Sequence, residues 1–415
     1  MNLAVISLIV FLITVVVGIV RKVNCGLAAI LASFILILFF IPQMDLADLY
    51  RLGWPVSTFF MMLSVLLLFG IAGANGTMEI VAKRILSLVK GRAFLMPFVI
   101  YLLSFLLSAS GAGPGIAPMI MMIAMGVCKE TGLSCFMMGI IVEIGVASGG
   151  LSPVATSGII AKELAKEAGV SGYMGLFLPY AAAMFAEVLL VYFLFGGAKA
   201  KTVSSTNLRQ SIPQMNLHQK ETLAVILLVI CAIIFLGLDV SVTAFSGAAL
   251  LILLGVMEDK KAVSTVNWNT LLLVAGMYML ITVVDQCGGI ALLSDILLKW
   301  ITPKSATGIM ALISGLLATV TSSSGVVMPT LIPVGAHIAE SLAGVSAASL
   351  LSGVIAGANC ALFCPFSVLG SMTIALYPER TDRQMIFKRH LQMTAASIAF
   401  FTLLGFSGVL NLMVS

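Results

Sequence analysis

Charge is scarce in this chain: only 9% of its 415 residues are Asp, Glu, Lys or Arg, where a soluble domain carries about a quarter. Too few polar residues remain to cover a water-soluble globule of this length. The seven cysteines (Cys25, Cys128, Cys135, Cys231, Cys287, Cys360, Cys364) contain no CxxC. Cys360 and Cys364 have no neighbouring His or carboxylate to complete a metal site, so they read as small packing residues. The Gly-x-Gly-Pro-Gly run at 111–115 lacks the Lys-Ser/Thr of a phosphate loop. With no ATP-binding motif, a gradient or a partner chain must supply energy. No nucleophile–base pair or metal cluster stands in the apolar runs, which argues against an enzyme. The net charge of +5 comes from basic residues in short loops, so nucleic acid is not an expected partner.

Apolar residues are plentiful instead, at 60% of the chain with a mean hydropathy of +1.16. A membrane-crossing helix needs about 20 mostly apolar residues, and such runs fill most of the sequence. The first begins at Asn2 with no basic residue before it and no small-x-small cleavage site after it. It reads as a retained span, not a signal peptide. Spans are expected at 3–20, 24–42, 56–73, 134–165 and 173–196, then at 220–237, 240–257, 268–284, 345–377 and 391–413. Amphipathic stretches at 77–90 and 288–302 are expected in the interface.

Two apolar segments, 93–126 and 305–340, carry too many helix breakers for continuous helices, as in Ser108-Ala109-Ser110-Gly111-Ala112-Gly113-Pro114-Gly115. Each reads as a re-entrant hairpin. A later helix in each half is also interrupted, at Ala147-Ser148-Gly149-Gly150-Leu151-Ser152-Pro153 and at Gly357-Ala358-Asn359-Cys360-Ala361-Leu362-Phe363-Cys364-Pro365. The halves align: Trp54 with Trp268, Pro118 with Pro329, Pro153 with Pro365, and Gly158 with Gly370.

The expected fold is therefore an all-α polytopic membrane protein of two inverted repeats. Each repeat has five spans, a re-entrant helical hairpin and a broken helix. Residues 1–196 form the first repeat, 197–219 a cytoplasmic linker and 220–415 the second repeat. Laid on this topology, all of the 22 basic residues except Arg51, Lys162, Lys166, Lys299 and Lys304 fall on one side. The rule that basic loops stay in the cytoplasm places that side inside and both termini outside.

Non-helical backbone at membrane depth survives only where it is buried in protein or lines a wet cavity. Paired interruptions in two halves point to a transport site, with helix N-termini for an anion and freed carbonyls for a cation. The candidate substrate-binding residues are Ser108, Ser110, Gly111, Ser148, Gly149, Thr319, Thr321, Ser322, Asn359 and Cys360. Ser110, Gly150, Thr321, Ser323 and Ala358 are the candidate cation-binding positions. Glu143, within an apolar span and near the break, is the candidate proton carrier. Small residues of this kind also serve simply to let helices pack closely.

This order of hairpin and broken helix resembles the ion transporter superfamily, in particular the divalent anion/sodium symporters. Their hairpin tips carry Ser-Asn-Thr ten residues before a Pro. Here Ser108-Ala109-Ser110 precedes Pro118 and Thr319-Val320-Thr321 precedes Pro329, with the hydroxyls kept and the Asn replaced. A narrower likeness, to MatC-type dicarboxylate (malonate) carriers, rests on Arg21-Lys22-Val23-Asn24-Cys25-Gly26, Asn75-Gly76-Thr77, Gly91-Arg92 ahead of Pro97, and Gly149-Gly150-Leu151-Ser152-Pro153. The resemblance implies a homodimer in a bacterial inner membrane, with a scaffold and a moving transport domain working as an elevator. It implies a small carboxylate as substrate and no resident cofactor, sodium or protons being the coupling ion. The reading that follows is a secondary transporter of C3–C4 dicarboxylates. The alternatives are a cation/proton antiporter on the same fold and the membrane subunit of a multi-component uptake system.

Overall fold

The computed structural model describes residues 3–21, 23–41, 45–87, 93–197, 214–377 and 382–412. Most of the expected linker lies outside these residues, as do Lys22, Lys90, Gly91, Arg92, Lys199, Lys201, Arg209 and Arg380. The described chain is helical, with no strand. The first half runs α1 (Leu3–Arg21), α2 (Cys25–Phe40), α3 (Leu46–Asp48), α4 (Val56–Ala74), α5 (Thr77–Ser87), α6 (Met96–Leu107), α7 (Ala117–Thr131), α8 (Cys135–Gly150), α9 (Thr156–Glu167) and α10 (Met174–Leu194). The second runs α11 (Leu217–Leu236), α12 (Val240–Leu253), α13 (Asp259–Ser264), α14 (Trp268–Gln286), α15 (Gly289–Leu298), α16 (Ala306–Ala318), α17 (Met328–Ser341), α18 (Ala347–Cys360), α19 (Val368–Ala375), α20 (Arg383–Phe406) and α21 (Val409–Leu412).

Among the described residues, three helices are long and apolar enough to cross a membrane by length and composition alone: α4, α10 and α14. The other apolar helices are mostly shorter because the hairpins and breaks cut the apolar runs. Two boundaries differ from expectation. The last span was expected at 391–413, but α20 begins at Arg383, where Asp382 caps it by accepting from the N–H groups of Gln384 and Met385. The two broken helices also stay helical further than their Gly/Ser content suggests. Ser148, Gly149 and Gly150 form the last turn of α8, and Ala358, Asn359 and Cys360 the last turn of α18. The chain leaves helical geometry only as Pro153 and Pro365 approach, because proline cannot donate back to the preceding turn.

The close helix crossings explain where glycine is needed. A Cβ on Gly145 would lie 2.8 Å from Tyr101 O, and one on Gly149 would overlap Phe105 O, so α8 lies directly on α6. The same spacing recurs in the second half. A Cβ on Gly353 would stand 2.5 Å from Thr307 O and one on Gly357 would overlap Ala311 O, where α18 crosses α16. The halves also interlock. α2 packs on α14, where Asn24 Nδ2 donates to Asn269 O at 2.8 Å, and α12 packs on α4. The broken helices are almost wholly buried, whereas α1, α2, α10 and α11 present large exposed apolar side chains such as Leu12, Phe39, Phe193 and Phe235. Bare apolar surface of that extent suits lipid.

Candidate functional site

In the first hairpin, α6 leads into a tight turn over Ser108–Ala112 and Gly113–Ile116 before α7. Gly111 has φ 113° and Gly113 φ 63°, a left-handed conformation that glycine adopts without a Cβ clash. A Cβ on Gly111 would also stand 2.7 Å from Val65 of α4, so α4 backs the tip. Ser108 is fully buried and donates to Val146 O of α8 at 2.8 Å. Ser152, in the break after α8, donates to Ala109 O. Ser148 Oγ lies 3.3 Å from the Tyr101 hydroxyl, and Tyr173 donates to Leu151 O at 2.9 Å. The hairpin and the first break are thus brought together, with Ser108 and Ser148 at their contact. Ser110 donates to Leu107 O in its own turn, and Gly149 faces the α6 backbone.

The second hairpin turns through Thr319–Ser322 and Ser323–Val327, with α14 behind it: a Cβ on Gly325 would meet Leu273 at 2.5 Å. Thr319 and Thr321 donate to Leu316 O and Leu317 O of their own helix at 2.6 and 2.7 Å. Ser322 caps the Gly325 N–H at 3.1 Å. Ser323 is buried and its Oγ has no hydrogen-bond partner. Asn359 Nδ2 donates to Ile355 O and Cys360 Sγ to Gly357 O, both within α18. Among the described residues no side-chain hydrogen bond joins tip residues 319–327 to α18 or α19.

The two units meet along α9. A Cβ on Gly113 would lie 3.8 Å from Thr156 Oγ1, and α9 packs on the Ser323–Val327 turn and on α17. Thr156 is 6% exposed and its Oγ1 has no partner. No side chain caps α9, whose N-cap is Ala155, whereas Ser367 caps α19 through the Gly370 N–H at 3.0 Å. An uncapped helix start offers N–H groups and partial positive charge to an anion. Sequence reasoning did not single out Thr156; its one signal is its place three residues after Pro153.

Glu143 also found partners that the sequence did not reveal. Thr373 of α19 donates to its Oε1, and His390 of α20 approaches its Oε2. The span expected at 391–413 left His390 in the preceding basic loop. The overlooked signal is the spacing of His390, Thr394 and Ser397, all at most 2% exposed on one face of α20. A second buried carboxylate, Glu187 of α10, stands beside Ser397 and Cys360, but neither Glu187 Oε2 nor Ser397 Oγ forms a hydrogen bond.

Tight hairpins, broken helices and a polar focus among apolar helices define a multi-pass membrane transporter. The sequence model of the citrate transporter family, CitMHS, matches residues 1–357 and 233–414, and the chain belongs to that family. The family is one of transporters, not of enzymes. The fold is similar to that of the YdaH transporter of Alcanivorax borkumensis, whose crystal structure was described as having an unusual topology. That likeness has a TM-score of 0.60 and 13% identity over 88% of this chain and 89% of the other. No curated protein sequence matches this chain.

Proposed function

We propose that this chain is a secondary active transporter of small organic polycarboxylates, carried between the two hairpin tips and the start of α9. The observation that carries the reading is Thr156: a buried hydroxyl without a partner, beside the first tip, on the uncapped start of a helix that also packs on the second hairpin. One carboxylate oxygen would accept from Thr156 Oγ1 and from the first N–H groups of α9, an arrangement that needs no buried Arg or Lys. Ser323, whose Oγ is also unpaired, offers a further donor on the second tip, and Ser110, Thr319 and Thr321 would donate to the anion only on releasing Leu107 O, Leu316 O and Leu317 O. The carbonyls in the last turns of α8 and α18, around Gly150 and Ala358, suit sodium if sodium is the coupling ion. The two halves would insert as inverted repeats in a bacterial inner membrane with both termini outside. The hairpins and broken helices would move against a dimeric scaffold.

The sequence favours C3–C4 dicarboxylates, and the family match favours citrate. Uptake of labelled malonate, succinate and citrate into proteoliposomes of the purified chain, with a sodium gradient, a proton gradient or none, separates these readings. Gradient-driven uptake of at least one anion is expected. Thr156→Val should reduce that uptake by roughly tenfold, the effect of losing about 1.4 kcal/mol from hydrogen bonding to a charged group. Unchanged uptake in Thr156→Val would remove α9 from the site. Proton movement against sodium with no anion carried would favour the antiporter.

A further inference from the structure

Glu143 stands in a polar cluster that the anion site does not use. Glu143 lies on α8, Thr373 on α19, Tyr377 just beyond α19 and His390 on α20. The first, second and fourth are fully buried, and Tyr377 is 4% exposed. Glu143 Oε2 lies 3.5 Å from His390 Nδ1 and forms no hydrogen bond of its own. His390 Nδ1 is also 3.2 Å from Phe363 O, in the turn that breaks α18, and Nε2 is 3.2 Å from the Tyr377 hydroxyl. Tyr377 in turn reaches Phe136 O at 3.4 Å. The other titratable groups nearby are the thiols of Cys128 on α7 and Cys135 on α8, both facing Tyr377. The Arg389 guanidinium sits 5.6 Å from the centre of the Phe136 ring.

A buried ionisable pair is costly unless every donor and acceptor is met. Here Thr373, Tyr377 and His390 each have an alternative partner, and Glu143 Oε2 is the one acceptor of the four residues left without a hydrogen bond. Thr373 Oγ1 lies 3.1 Å from Leu369 O and 3.0 Å from Gly370 O as well as against Glu143. It can donate to a Glu143 carboxylate, or donate to a carbonyl and accept from a Glu143 carboxylic acid. With one ring proton on Nδ1, His390 donates to Phe363 O and accepts from Tyr377 at Nε2. With two, it donates at Nε2 also, and Tyr377 turns its proton to Phe136 O. The cluster thus gains or loses one proton without orphaning a donor, the condition for changing charge state inside a packed core.

We propose that Glu143 and His390 form the binding site of the coupling proton, and that its occupancy sets the geometry of the break after α18. This rests on the reading of the chain as a gradient-driven carrier. The link is His390 Nδ1, which serves either Phe363 O at that break or Glu143 on the other broken helix. Whatever shifts Nδ1 between them couples proton binding to the neighbouring Asn359 and Cys360, and coupling of this kind is reciprocal.

The test uses the purified full-length chain. In an infrared pH titration, the wild type should show a buried carboxylic acid band that is lost as pH rises. The band should be absent in Glu143→Gln and kept in Glu187→Gln. In His390→Gln and Thr373→Ala its midpoint should move by about one pH unit, equivalent to about 1.4 kcal/mol. In proteoliposomes, Glu143→Gln should carry several-fold fewer protons per anion than the wild type. The proposal is overturned if Glu143→Gln keeps the band or the proton-to-anion ratio. It is equally overturned if His390→Gln and Thr373→Ala leave the midpoint in place, and these two decide the matter should Glu143→Gln not fold. A wild-type chain that moves none of the tested anions sinks the anion reading, while the titration still decides the proton site.

Discussion

In the first hairpin, Ser108 reaches across to Val146 O and Ser152 reaches back to Ala109 O, so hairpin and broken helix hold each other. In the second, Thr319 and Thr321 turn onto their own helix and Ser322 caps its own turn. The helix crossings beneath are alike, with Gly145 and Gly149 in one and Gly353 and Gly357 in the other. Two units with the same backbone plan are therefore fastened differently. Lifting the first tip breaks two side-chain hydrogen bonds worth about 0.5–1.5 kcal/mol each, and lifting the second breaks none of that kind among the described residues. The second tip is accordingly the one expected to open toward the anion.

The largest test of this comparison is on its shared part. Gly149→Leu and Gly357→Leu each force a side chain into a neighbouring backbone, and overpacking of this kind costs about 1–3 kcal/mol or more. Both should lower the yield of folded protein and the unfolding temperature in detergent. If only one does, the crossings are not equivalent.

A smaller effect separates the units. Ser108→Ala should cost about 1 kcal/mol of stability through the lost bond to Val146 O. Thr321→Ala should leave stability within about 0.5 kcal/mol, the usual range for a change away from buried contacts, while weakening uptake. Equal unfolding curves for the two variants would erase the proposed asymmetry. The subtlest comparison is of exposure: with one native bond more to break, Ser108→Cys should react with a soluble thiol reagent roughly five- to tenfold more slowly than Thr321→Cys. Substrate should protect Thr321→Cys; no difference in rates would sink the idea of a freer second tip.

The alternation of apolar helices, hairpins and breaks is legible along the chain, because those signals are local. Pro153 and Pro365 stand just past the ends of α8 and α18, although Pro179 and Pro333 are carried inside α10 and α17, Gly111 and Gly113 permit turns that a Cβ forbids, and apolar runs of sufficient length select lipid. Ser108 and Ser148, named from the sequence as candidate substrate-binding residues, lie where the first hairpin packs on α8. The extent of α8 and α18 was less legible, since Gly149 and Gly357 read as breakers yet serve as contact points for α6 and α16. Tertiary structure alone decided which polar groups matter. Thr373 and His390 stand 230 and 247 residues from Glu143, and only the packing of α19 and α20 on α8 makes them one cluster. Whether a hydroxyl is satisfied, as in Ser108, or left without a partner, as in Thr156, depends on what another helix brings within 3 Å, and no local pattern encodes that distance.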